Sequence, residues 1–306
     1  MTVQDSAIHP DAIAVRSTAA PGVRAGTLLA ALGVVAFSFT FPSISWAMEG
    51  LGPWSVAAWR AALAGAASVV VLLVTRAPVP DRRHWGPFAV VAGGVFLGYP
   101  LLTSLALHTS STAHAAVVVG LLPLTTAAYA AVRFRTRHSR TFWAAALAGA
   151  AVVAGFALQQ SGGAPTTADL YLLLALVVCA AGYAEGGRLA RAMPGWQVVC
   201  WAAAACLPLA AVGAGAALWA EPVHLTGRSV AGLLWAVGGS TLLGMAVWYR
   251  GMAMIGVARA GQLQLAQPLL TLLWSVTLLG EHLTPAAPLA AVAVLVCIVM
   301  TQRADS

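Results

Sequence analysis

The sequence predicts an all-α polytopic membrane protein, ten transmembrane helices arranged as two inverted five-helix repeats. Three observations carry that expectation. Of 306 residues, 60% are hydrophobic and only 8% are charged, whereas a soluble domain carries about 25% charged residues to cover its surface. The apolar residues gather in runs that approach the 20 or so needed to cross a bilayer core. The arginines fall almost entirely on alternate connections, so they share one face of the membrane. Disorder, a collagen-like chain and a two-domain soluble enzyme are excluded by the same apolar content.

In chain order, a polar tail over residues 1–26 carries Asp5, Asp11, Arg16 and Arg24 and lacks the layout of a secretory signal. Helix 1 is expected over 27–47 and helix 2 over 54–75, with Arg76, Arg82 and Arg83 after it. Helices 3 (86–107) and 4 (113–132) follow, and Arg133, Arg135, Arg137 and Arg140 stand before helix 5 (142–159). A linker over 160–168 divides the first repeat, 27–159, from the second, 169–302. Helix 6 (169–190) ends among Arg188 and Arg191, and helices 7 (195–219) and 8 (229–250) come next. Arg250 and Arg259 bracket the turn into helix 9 (259–279), and helix 10 (286–302) meets Arg303. Gly280-Glu281-His282-Leu283-Thr284-Pro285 reads as a helix stop, a turn and a restart. The opposite connections hold Glu49, Asp169, Glu221 and Glu281, with Arg228 as their only arginine. By the positive-inside rule both termini are cytoplasmic in a plasma-membrane protein.

The chain is basic, with 16 Lys+Arg against 9 Asp+Glu, yet every basic residue is arginine, a bias of GC-rich codons rather than a mark of nucleic-acid binding. Cys179, Cys200, Cys206 and Cys297 lie inside apolar runs without CxxC spacing, so they read as packing residues. No phosphate-binding loop, nucleophile elbow, HExxH motif or spaced carboxylate pair is present. No catalytic residue, metal or cofactor is expected, and a pump with its own ATPase is excluded.

The two halves align. Pro53 to Trp59 matches Gly195 to Trp201, pairing Trp54 with Trp196 and Trp59 with Trp201. A shift of 145 lays Gly93-Gly94 on Gly238-Gly239, Leu97 on Leu242, His114 on Arg259 and Pro123-Leu124 on Pro268-Leu269. An odd number of spans per half inserts the second half upside down, the plan of many secondary transporters, in which two halves rock about a site between them.

The stretch from Gly256-Val257-Ala258-Arg259-Ala260 through Gln267-Pro268-Leu269 to Gly280-Glu281-His282 resembles the EamA-type branch of the drug/metabolite transporter superfamily. Ala106 to Ser111, Leu122-Pro123-Leu124 and Arg60 extend the resemblance through the first half. Arg133-Phe134-Arg135-Thr136 stands where a second Gly-Glu pair would fall after helix 4. The resemblance implies transport of a small metabolite, often amino-acid export, through a central cavity partly walled by helices 4 and 9. An amino acid or a drug-like cation is the expected cargo, with a proton as a candidate coupling ion and a monomer or homodimer in the bilayer. The competing readings are a multi-span membrane enzyme, which needs clustered Asp, His or Cys at one face, and a membrane scaffold without flux.

Glu185 is the only carboxylate deep inside an expected span, and intramembrane charge is a functional candidate by default. It either binds cargo or a proton, or pairs locally with Arg188 three residues on. Arg60 sits about 9 Å inside helix 2, at 1.5 Å per residue from Trp54, and either snorkels outward or pairs with an acid, Glu49 being nearest in sequence. Gln262, Gln264 and Gln267 either bind helices together or line the path. Pro123 and Pro268 interrupt matched helices, a pointer to a binding site. Tyr99, Tyr183, Trp248 and Tyr249 are inward candidates, and Trp54, Trp196 and Trp235 fit an interfacial belt. His108 and His114 suit interfacial hydrogen bonds. Gly65, Gly93, Gly149 and Gly213 suit close helix contacts.

Overall fold

The computed structural model describes residues 21–135, 139–255 and 263–304, and these are helical with no strand among them. Eight helices are long and apolar enough to cross a membrane: α1 (Gly22–Ala47), α2 (Pro53–Val74), α3 (Arg82–Thr109), α4 (Thr112–Phe134), α5 (Arg140–Gln160), α6 (Thr167–Leu189), α7 (Gly195–Ala220) and α8 (Gly227–Met252). Two shorter apolar helices follow, α9 (Gln267–Leu279) and α10 (Ala286–Met300). The chain is therefore a multi-pass membrane protein. Part of the expected helix 9, including Gln262, lies outside the described residues.

Local chemistry starts and stops the helices. α2 opens with a proline in its first turn, where the missing N–H costs nothing. Ser111 and Ser139 cap α4 and α5 by accepting from the backbone N–H of His114 and Phe142. Thr166 with Asp169 and Thr226 with Ser229 form reciprocal capping boxes on α6 and α8. Gly280, at φ 68°, ends α9 in a left-handed conformation that glycine adopts without strain.

In a bilayer, helices associate through close packing of small residues. Ala61 and Ala62 of α2 meet Ala210 and Ala214 of α7 in one buried cluster. A Cβ added at Gly65 would stand 2.8 Å from the Ala203 carbonyl, so glycine sets that approach. Gly149 and Gly213 also face neighbouring helices. Gly93 does not, contrary to the sequence expectation: it faces open space, while a Cβ on adjacent Gly94 would overlap the Val178 carbonyl of α6. The pair of glycines marked the contact and its first member was the wrong one.

Several helices are interrupted mid-span. α1 turns at Phe39, α3 winds as a π-helix over Ala92–Gly98, and α8 does so over Trp235–Gly244. α4 breaks at residues 120–121 and restarts at Leu122-Pro123; residues 265–266 form the corresponding turn before Gln267-Pro268. The π-helical segments and the later turns obey the shift of 145, which carries 92–98 into 237–243 and 120–121 onto 265–266, whereas the turn at Phe39 falls on Ala184 inside continuous α6. Irregular backbone at membrane depth is tolerated where protein or a cavity covers it, and π segments gather at functional sites.

Polar contacts collect at the two ends of the bundle. At one end Glu221 accepts from the backbone N–H of Trp54 and Ser55 at 3.1 and 2.8 Å, and Glu281 accepts from Thr112 and Ala113 at 2.7 and 2.9 Å. Arg228 pairs with Glu49 there, and Asp169 takes a 2.7 Å contact from buried His114. At the other end Glu185 joins α4 to α6 through Arg133 and Arg188.

Candidate functional site

The interrupted helices enclose a chamber of ≈ 70 Å³ between the halves. Its walls come in pairs related by the shift of 145: Val95 with Ser240, Phe96 with Thr241, and Leu122 with Gln267. In these three pairs the first-half residue is apolar and the second-half residue is polar, whereas a fourth pair, Pro100 with Met245, is apolar on both sides. The chamber is thus matched in position but not in chemistry: the first half adds Arg60, Thr40 and Tyr99 to its apolar residues, and the second half contributes hydroxyls and amides. Pro123 and Pro268 line one adjoining cleft of ≈ 40 Å³ together with Gln264. There the first turns of two restarting helices come together.

Arg60 projects from α2 into this chamber. It is 9% exposed, so it does not snorkel, and Glu49, its nearest acid in sequence, is paired with Arg228 instead. The Arg60 Nη2 and Nε groups donate to the Thr241 hydroxyl at 3.2 and 3.4 Å. That hydroxyl donates onward to the Ala236 carbonyl at 2.8 Å, so its lone pairs are turned to the guanidinium. Nη1 has no hydrogen-bond partner among the described residues. Among the described residues lining the chamber no carboxylate is found. A buried cation without a counter-charge is expensive, which makes Arg60 the electrostatic centre of the site.

Tyr99, Tyr183, Gln264 and Gln267 line the same chamber. Tyr183 and Gln264 also border a wider arm of ≈ 320 Å³, which runs past Trp248, Gly186 and Ala190 towards Met252. Those residues lie at the ends of α6 and α8 near the Arg133–Glu185–Arg188 contacts, so the cavity widens towards the arginine-rich end. The other side is closed by polar contacts between halves and an aromatic cluster. Thr40 and Ser240 share a 2.7 Å hydrogen bond, Trp274 Nε1 donates to the Ser38 hydroxyl at 2.9 Å, and Phe39 sits edge-on to Trp46, Trp235 and Trp274.

Glu185 is placed elsewhere. It is 2% exposed; one oxygen contacts Arg133 Nε at 3.3 Å, and the other contacts Arg188 at 2.7 and 2.8 Å. It is absent from the lining of both the chamber and its wider arm. The local pairing with Arg188 is present, and Arg133 adds a partner from the other half. Glu221 was not singled out from the sequence because its partners are backbone amides, which leave no sequence signal.

Comparison with known proteins follows the same lines. The profile of the EamA-like transporter family matches residues 24–158 and 166–302. The chain is 38% identical over 285 residues to the uncharacterized transporter YdeK of Bacillus subtilis (strain 168), covering 89% of this chain and 95% of that protein. It is 28% identical over 273 residues to the uncharacterized transporter YcbK of the same organism, covering 85% and 86%. A crystal structure matches with a TM-score of 0.61 at 22% identity, over 90% of this chain and 96% of that one, a likeness of fold alone.

Proposed function

The chain belongs to the EamA-like transporter family, and from that premise we propose that it is a secondary transporter that exports a small metabolite by alternating access. In this reading ten spans form two inverted repeats, 27–159 and 169–302, in the plasma membrane with both termini cytoplasmic. The observation that carries the proposal is the central chamber, walled by residues at matched positions of both halves and flanked by interrupted helices. A cavity of that kind between two pseudo-equivalent halves can open to either side when one half rocks against the other. The arginine-rich end, where the cavity widens, is then the cytoplasmic side, and the arrangement is an inward-facing state. Cargo enters past Trp248 and Tyr183, and the Thr40–Ser240 contact separates when the other side opens.

The experiment is release from proteoliposomes loaded with a defined mixture of amino acids, organic acids and cationic dyes, followed by mass spectrometry. Protein-dependent loss of one or a few components is expected. Release indistinguishable from protein-free vesicles for the whole mixture would overturn the transport reading.

A further inference from the structure

We propose that Arg60 is the anion receptor of the central chamber, and that the cargo is a small organic molecule bearing one carboxylate and an apolar or aromatic remainder. The proposal rests on the transport reading above and narrows it to a substrate class. Three observations support it. Arg60 is 9% exposed, and its Nη1 has no hydrogen-bond partner among the described residues. Among the described residues its hydrogen bonds go to a neutral hydroxyl, Thr241. The lining includes Phe37, Phe41, Phe96 and Tyr99, with no carboxylate among the described residues.

A single uncompensated positive charge repels a cationic guest and attracts an anion. The paired oxygens of a carboxylate suit a guanidinium better than any neutral acceptor, because the hydrogen bonds are charge-assisted. Tyr99 and Gln264 line the same chamber and carry donors, and the wider arm offers the remainder an apolar bed. At ≈ 320 Å³ that arm lies at the small end of ligand pockets, which span about 300–1,000 Å³. Under the repeat alignment Arg60 corresponds to Ala202, so the charge is supplied once and from one half only.

The test uses the purified full chain in detergent and three acid–amide pairs: L-phenylalanine with L-phenylalaninamide, L-leucine with L-leucinamide, and benzoate with benzamide. Affinity is read from ligand-dependent shifts of thermal unfolding, with tetraphenylphosphonium as a cationic probe. At least one acid is expected to bind about tenfold or more tightly than its amide, the effect of one charge-assisted contact. The first two pairs against the third separate amino-acid cargo from simple carboxylic acids. Arg60→Gln is expected to remove that preference and Arg60→Lys to keep part of it. An amide or the cation binding as tightly as every acid, no acid binding at all, or full acid preference in Arg60→Gln would overturn the assignment. If Arg60→Gln does not fold, the acid–amide comparison on the native chain decides alone. Flux of a bound acid in proteoliposomes separates the two claims: binding without flux rejects transport and keeps the anion site, whereas flux of an amide or cation alone keeps transport and rejects the anion site.

Discussion

Arg60 on α2 and Thr241 on the π-helical turn of α8 meet at 3.2 Å inside the central chamber, 181 residues apart in the chain. The contact puts a buried guanidinium against a hydroxyl whose own proton is held by the Ala236 carbonyl, so the acceptor is oriented by an irregular backbone turn.

Thr241→Val keeps the shape of the side chain and removes that acceptor. It is expected to lower unfolding stability by about 1–3 kcal/mol, the range for leaving a buried polar group unsatisfied. Thr241→Ser is expected to restore most of it. Denaturation in detergent measures both, and a valine variant as stable as the native chain would contradict the contact's role.

Glu221 and Glu281 each take two consecutive backbone amides at a helix start across the interface between halves. Replacing either by glutamine is expected to cost about 1 kcal/mol, the usual worth of an N-terminal cap. The double variant should also loosen closure at that end. Maleimide labelling of Ser45→Cys, whose native hydroxyl contacts Thr112 at 3.1 Å, is expected to quicken in it; an unchanged labelling rate would show that the two carboxylates do not hold this end closed.

Glu185→Gln tests the division between cavity and clasp. Glu185 touches Arg133 and Arg188 and nothing in the chamber lining, so ligand affinity is expected to stay within about twofold, as for well-separated sites. Turnover should change, because the residue joins α4 to α6 at the arginine-rich end. Loss of binding in this variant would place Glu185 in the site after all.

Orientation is checked with single cysteines. Arg82→Cys and Arg191→Cys are expected to react with an impermeant maleimide only from the cytoplasmic side, and His224→Cys only from outside. His224 reacting on the same side as Arg82 would require a different number of crossings.

Much of the architecture was legible in the sequence because membrane helices announce themselves by apolar length, and arginine placement sorts their connections. Pro123 and Pro268 each stand in the first turn of a helix that restarts after a break, a position proline tolerates because its missing N–H would be unpaired there anyway. The π-helical turns were hidden behind Gly93-Gly94 and Gly238-Gly239, which align between halves but say nothing of how the backbone winds. Tyr99, Tyr183, Gln264 and Gln267 do line the chamber and Trp248 lines its wider arm. Arg60 was legible in its depth along the helix, but the sequence left open whether it snorkels outward or finds a partner. Its depth follows from 1.5 Å per residue, whereas its partner Thr241 is remote in sequence and neutral, which charge matching could not find.

The account depends on the chamber being reachable from each side of the membrane in turn. The most direct measurement is the reactivity of Gln267→Cys, a wall of the chamber, towards an impermeant maleimide in right-side-out and inverted vesicles. Labelling from both faces is the predicted result, with each face competing against the other. Labelling from one face only, under every condition that moves cargo, would contradict alternating access through this cavity.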